Sequence, residues 1–489
     1  MNDAILVIDE GTTSTRAMLV GSDGQCGVAA QHELSVRWPQ PAWVEHDADE
    51  IWRLSLGAAR AAASASPDSI RAIGISNQRE TIVFWDRKTG RPLAPAIVWQ
   101  DRRTADLCAT LREQGHEPSI QATTGLLLDP YFSATKIAWA LEKWPELREA
   151  GDRLVVGTID SWLVFQLTGG LHVTDATNAS RTLLMDLRGG WDEGLCDLFG
   201  IPRSALPEIV DSAGETGATD PKMFGRAIPI CGIAGDQQAA AIGQDCLAPG
   251  DTKATFGTGA FILTHYGSEP PRSGKRLLST VAWQIGGTRT YALEGSLFVA
   301  GQVVSWLRDS LGLIASSSET AALAASVPDS QGVQFVPAFT GLGAPHWQPD
   351  TRAAILGLTL GTGKAHIVRA ALEGVVNQAA ELQRAFAADG ALWSKLRIDG
   401  GMAANDYLAS DLSGLLDVPV ERPANVESTA LGAATLAAAG CGLYGSLREA
   451  ADAMGSPLTR FETAMSDDER SARLGQWDKA VAAATAVAS

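Results

Sequence analysis

The sequence predicts an α/β protein of two related domains that face each other across a cleft, and three observations carry that prediction. Short apolar, β-branched runs alternate with helically spaced segments along the chain. A strand–turn–strand pattern with hydroxyls in its turn occurs at residues 5–20 and again, about half a chain later, at 254–263. At 489 residues the chain exceeds one ordinary domain, yet no low-complexity linker divides it. The boundary is expected near residues 244–253, with a helix crossing it, giving domains 1–246 and 247–489.

Composition narrows the function. Hydrophobic content of 45% with 19% charged residues is ordinary for a soluble protein. The 39 basic and 56 acidic residues leave a net charge of −17, which argues against a nucleic-acid surface. A polyphosphate ligand must then be held locally, by backbone amides, a few Arg or Lys, and a metal. No run of eighteen apolar residues occurs and no signal peptide precedes the first strand, so membrane insertion is not expected. The six cysteines contain no C-x-x-C pair and the seven histidines no zinc spacing. Free thiols in a reducing cytoplasm are the expectation.

Taken in order, Ile5 to Ile8 reads as a buried strand, followed by Asp9 and a Gly11 turn. Thr12, Thr13, Ser14 and Thr15 supply hydroxyls and N–H groups, Arg16 a fixed positive charge, and Ala17 to Val20 a returning strand. Such a turn suits phosphate oxygens, and the neighbouring aspartate suits Mg2+. An ordinary hairpin would need the glycine only for its turn. Residues 47–63 have helical spacing. Residues 70–75 form a strand that delivers Ser76-Asn-Gln-Arg-Glu-Thr81 at its carboxyl end, where ligands gather in open α/β sheets. Residues 81–85 form another strand, and Asp101 to Arg103 opens a helix. Ser133 caps the helix after Asp129-Pro-Tyr131. A strand at 155–159 is followed by a polar loop at 174–181. The strand at 227–233 ends in Ala234-Gly-Asp-Gln-Gln238. In the second half, strands at 331–337 and 395–399 flank a long helix at 365–387, and 428–436 is a small-residue helix able to pack tightly.

Six ordered motifs then resemble one family: Asp9-Glu-Gly-Thr-Thr13, Asn77-Gln-Arg-Glu-Thr81, Asp129-Pro-Tyr-Phe-Ser133, Ala234-Gly-Asp-Gln-Gln238, Phe256-Gly-Thr-Gly259 and Asp399-Gly-Gly401. Together they are similar to the glycerol kinase branch of the FGGY carbohydrate kinases, from residue 5 to about residue 440. The resemblance implies an α/β fold of two actin-like (ribonuclease H-like) ATPase domains with ATP and Mg2+ in the cleft. The activity it implies is ATP-dependent phosphorylation of glycerol, in which the protein mainly positions groups and stabilises charge.

By that resemblance Thr12, Thr13, Ser14, Arg16 and Thr258 hold ATP phosphates, and Gly301, Gly401 and Asn405 lie along the nucleoside. Asp9 and Asp236 organise Mg2+. Arg79, Glu80, Tyr131, Asp236 and Gln237 bind the polyol, with Trp99 and Phe261 covering its carbon face, and Asp236 is the general base. Charged groups plus aromatic walls suit a triol, which has hydroxyls along one edge and C–H groups along the other. A cytoplasmic homo-oligomer, dimer or tetramer, is also implied. Kinases of other polyols or ketoses, and a non-kinase actin-like ATPase, stay open as alternatives. Glu10 stands where glutamine is common, placing a carboxylate beside the phosphate hairpin or toward solvent. Ser305 stands where a glutamine can face the nucleotide. Residues 221–226 lack the Gly-Gly-Lys of a sugar-bisphosphate loop, and 211–229 contain no histidine for phosphotransfer.

Overall fold

Two mixed sheets, one in each half of the chain, carry the two hairpins in a computed structural model that describes residues 3–348 and 350–488. The first sheet has six strands in the order Ala213–Ala218, Pro229–Gly235, Ile70–Asn77, Ala4–Glu10, Ser14–Gly21, Cys26–Glu33. The second has seven: Leu278–Ile285, Thr288–Leu297, Ala260–Gly267, Asp251–Phe256, Lys395–Asp399, Val420–Pro423, Leu458–Phe461. Each repeats one arrangement. Ala4–Glu10 runs antiparallel to the next strand in sequence and parallel to Ile70–Asn77. Asp251–Phe256 runs antiparallel to its successor and parallel to Lys395–Asp399.

The apolar run at the N-terminus is continuous because both faces of its strand are covered. Ala4, Leu6 and Ile8 pack with Ile51, Ala58 and Ala62 of the helix Ala48–Ala63. Ile5 and Val7 pack with Ala430, Ala433 and Ala437 of the helix Ser428–Gly440. Burial of each such Ile or Leu contributes roughly 1.5–3 kcal/mol. The helix Ser428–Gly440 thus comes from the second half yet lies on the first sheet. Small residues permit this: a Cβ on Gly74 of the sheet would fall 2.5 Å from the carbonyl oxygen of Ala433 in the helix.

Five expectations are corrected. No helix crosses the boundary: Asp236–Gly243 stops before a non-helical stretch at 244–250. Asp101 and Arg103 do not open a helix, which starts at Ala105; they pair with each other at 2.7 Å, and Asp101 accepts the Val44 N–H at 2.6 Å. Ser133 lies inside the helix Ser133–Lys143, and its hydroxyl donates to the Glu80 carbonyl at 2.9 Å instead of capping. The polar stretch 174–181 is the end of strand Val173–Asp175 followed by the helix Ala176–Ala179, buried throughout and capped by Asp175.

Glu10 borders the phosphate turn through its backbone, but its side chain does not face solvent. Strand alternation turns it with Ile8 into the first-half core, where Ser55 Oγ donates to its carboxylate at 2.5 Å. Burial pushes its carboxyl up to about 8 despite that hydrogen bond. Its other oxygen has no partner, and the group is held neutral at pH 7.

Candidate active site

The first hairpin turns through Gly11, Thr12 and Thr13, closed by the Gly11 N–H donating to the Ser14 carbonyl at 3.0 Å. Thr13 is exposed, with Thr12 and Ser14 half-buried, so their hydroxyls and amides line the open end of the sheet. Asp9 projects from the face opposite Glu10 and pairs with Arg16 at 2.8 Å. Arg16 also meets Glu427, from the second half, at 2.6 Å. Burial raises the Asp9 carboxyl against the pull of Arg16, with the Asp236 carboxylate adding to the rise. The second hairpin turns through Gly257, Thr258 and Gly259, and Thr258 is exposed at its tip. The Gly301 N–H donates to the Gly257 carbonyl at 2.8 Å, so the start of helix Gly301–Asp309 sits beside this turn. Gly401 is exposed at the end of strand Lys395–Asp399. Asn405 caps the helix Asp406–Leu416 and donates to Thr320 at 3.0 Å, which gives it a structural task.

Strand ends Ile70–Asn77 and Pro229–Gly235 are parallel neighbours, and they bring Arg79, Glu80 and Asp236 together. Arg79 Nε lies 3.4 Å from Asp236 and 3.9 Å from Glu80. Gly235 makes room for it: a Cβ there would meet Arg79 Cγ at 2.6 Å. Arg79 and Glu80 are buried, whereas the Asp236 side chain is 37% exposed and open to a ligand. Asp236 is the first residue of its helix, not the residue that caps it, and its carboxylate accepts the Gln237 N–H at 2.7 Å. Gln237 is held by Lys253 Nζ, which also donates to Thr255 at 2.7 Å. Burial lowers the Lys253 ammonium. Trp99 and Tyr131 meet edge to face at 5.6 Å between ring centres. The Trp99 indole N–H donates to Thr12 Oγ1 at 2.9 Å, joining this aromatic wall to the first hairpin. Phe261 lies on the second-hairpin strand, half-buried, paired in register with Thr255 and Ser296.

Sequence reasoning passed over Arg181, Glu294 and Lys253. Arg181 donates to Glu80 at 2.6 Å and to Glu294 at 3.0 Å. Glu294 receives both ends of the Arg79 fork, at 2.6 and 3.2 Å. Burial pushes the Glu294 carboxyl up, but Arg181 and Arg79 outweigh it and hold the group at about 2. The one signal available was Arg181 at the close of a polar stretch otherwise free of charge after Asp175.

Both halves match models of the FGGY family of carbohydrate kinases, the N-terminal domain over residues 4–243 and the C-terminal domain over 252–441. The chain belongs to that family. Among its FGGY relatives, a glycerol kinase of Methylobacterium nodulans is 53% identical over 495 residues, covering 98% of each chain. A glycerol kinase of Gluconobacter oxydans is 54% identical over 455 residues, covering 91% of this chain and 89% of that one. The solved Plasmodium falciparum glycerol kinase with ADP superposes with a TM-score of 0.95 at 37% identity, covering 99% of this FGGY chain and 98% of that chain. A xylulose kinase of Lactobacillus acidophilus shares the fold at a TM-score of 0.89 and 22% identity, covering 100% and 99%. The expected two-domain, actin-like α/β fold is therefore the fold of this FGGY kinase. No helix among its described residues is long and apolar enough to cross a membrane.

Proposed function

We propose that the protein transfers the γ-phosphoryl group of ATP to a terminal hydroxyl of glycerol, giving sn-glycerol 3-phosphate and ADP. The meeting of Asp236, Arg79 and Glu80 beside the first hairpin, in a chain about half identical to glycerol kinases over nearly its full length, supports this most strongly. Asp236 accepts the hydroxyl proton, the alkoxide oxygen bonds to the γ-phosphorus, and the bridging bond to the β-phosphate oxygen breaks. Glu80 and Arg79 bond the remaining hydroxyls with Gln237 and Tyr131, and Trp99 and Phe261 cover the carbon face. Thr12, Thr13, Ser14 and Arg16 take phosphate oxygens from one side and Thr258 from the other, with Gly301, Gly401 and Asn405 toward the nucleoside.

Among the described residues no cluster of three His, Cys, Asp or Glu could hold a metal alone. That fits Mg2+ arriving with ATP, since it binds through one or two carboxylates plus phosphate oxygens and water. Asp9 and Asp236, close enough that the Asp236 carboxylate raises the Asp9 carboxyl, would be its protein partners. When bound, Mg2+ neutralises charge that develops on the phosphate oxygens.

We divide the chain into domains 1–246 and 247–489, a division supported by the repeated sheet arrangement. Six free cysteines, four of them buried, support a reducing cytoplasm. A homo-oligomer rests on resemblance alone, and light scattering tests it. The activity is tested by ADP release with glycerol, erythritol, ribitol, xylulose and no acceptor. Glycerol-dependent release is expected; release with only a longer polyol, or hydrolysis indifferent to every polyol, would overturn the assignment.

A further inference from the structure

Four fully buried charges come together at the acceptor pocket: Arg79 and Glu80 from one strand end, Arg181 after the short helix Ala176–Ala179, and Glu294 from Thr288–Leu297 of the second sheet. A buried ion pair is a poor means of stabilising a fold, because desolvation of the charges offsets most of their attraction. Such an array is better understood by what its geometry does. Glu294 grips Arg79 bidentately through both terminal nitrogens, which leaves the Nε edge directed toward Asp236 at 3.4 Å. The Gln238 carboxamide oxygen also accepts from Arg79 Nη1, at 3.3 Å, and its nitrogen donates to Thr280 and Val281 of the second sheet. Arg181 occupies one oxygen of Glu80, whose other oxygen has no hydrogen-bond partner among the described residues. Glu80 also holds a left-handed backbone, φ 63°, which a non-glycine residue adopts at a cost and which recurs at functional sites.

We propose that Glu294 and Arg181 are the positioning residues of the acceptor pocket, Glu294 orienting the guanidinium of Arg79 and Arg181 the carboxylate of Glu80. This rests on the reading of Arg79 and Glu80 as polyol ligands. Glu294 belongs to the second sheet and the other three residues to the first half, so the pocket is complete only when the two halves are in register. With Glu294 neutralised, Asp236 at 3.4 Å is the carboxylate nearest Arg79, ahead of Glu80 at 3.9 Å. The guanidinium then turns toward Asp236 and away from the polyol. Among the described residues none of the four side chains bonds to Thr12, Thr13, Ser14, Arg16 or Thr258, so the hairpin groups keep their geometry.

The test uses the full-length protein and the variants Glu294→Gln, Glu294→Asp and Arg181→Lys, with KM for glycerol and for ATP measured separately and ADP binding followed by calorimetry. The Glu294→Gln variant is expected to raise the glycerol KM about tenfold or more while the ATP KM and ADP affinity change by no more than about twofold. Glu294→Asp, which keeps the charge, recovers part of that loss. Should Glu294→Gln fail to fold, Glu294→Asp and Arg181→Lys must show the same one-sided effect at smaller size. Equal losses for glycerol and ATP, or no loss for either, overturn the positioning role and point to a purely structural one. The parent protein separates this from the parent assignment: if it acts on another polyol, the split is measured with that polyol. If it acts on none, both ideas fall.

Discussion

The indole N–H of Trp99 donates to the hydroxyl of Thr12 at 2.9 Å, across 87 positions of sequence. One wall of the proposed acceptor pocket is thereby tied to the turn proposed to hold the phosphates. Trp99→Phe keeps an aromatic face but removes the donor. The loss of one such bond, worth about 0.5–1.5 kcal/mol, should lower kcat/KM for glycerol roughly two- to tenfold. Because Thr12 loses its partner, the ATP KM should rise too, which distinguishes this variant from Glu294→Gln. Steady-state kinetics with each substrate varied in turn checks it.

Asp236→Asn keeps the shape of the pocket and the first turn of its helix but cannot accept a proton. Turnover should fall by about a hundred- to ten-thousandfold, the usual range for a positioned general base. ADP binding by calorimetry should survive, since the hairpins are untouched. Near-normal turnover in the purified variant would falsify the assignment.

Glu10 gives a pH prediction whose sign is fixed by its folded value of about 8, above its ordinary 4.5. The folded state holds this proton more tightly than the unfolded state. Below about pH 4.5 both states are protonated and nothing is lost. As pH rises from there through 8 the unfolded chain ionises first, so the folded state loses relative stability. Glu10→Gln still offers an oxygen to Ser55 and removes the titration. It should gain roughly 1–3 kcal/mol on the parent between about pH 5 and 8. Urea unfolding at several pH values reads this directly, and parallel curves would refute it.

The His346 imidazole, paired with Glu381, shifts stability in the same direction at a higher starting pH. The hydrogen bond that His346 Nε2–H donates to the Glu381 carboxylate, at 3.0 Å, raises the imidazole above 6.5 in spite of partial burial. Stability from this pair is fully present below about pH 6.5 and is lost as pH climbs through the raised folded value. Glu381→Gln should therefore melt below the parent under mildly acidic conditions, with the gap narrowing toward alkaline pH. Differential scanning calorimetry across that range provides the check, and a constant gap would refute the linkage.

Much of this was legible in local sequence. A β-branched run ending in Asp9 and Gly11, repeated at Phe256 to Gly259, specifies two hairpins because strand periodicity and turn chemistry are short-range. Arg79, Glu80 and Asp236 stand at strand ends for the same reason. The helix at 428–440 announced close packing by composition, though not what it packs on. Asp9 and Glu10 mark where that legibility stops. Alternation places them on opposite faces, but both faces of Ala4–Glu10 are buried, so no pattern in the run says which one looks into the cleft. Tertiary structure decided that, putting the helix Ala48–Ala63 under Glu10 and leaving Asp9 to Arg16. It also decided the partners of Arg79, since Glu294 lies 215 positions away on a strand of the other sheet. A buried charge is paired by whatever the fold brings within 3 Å of it, and over that separation local periodicity carries no information.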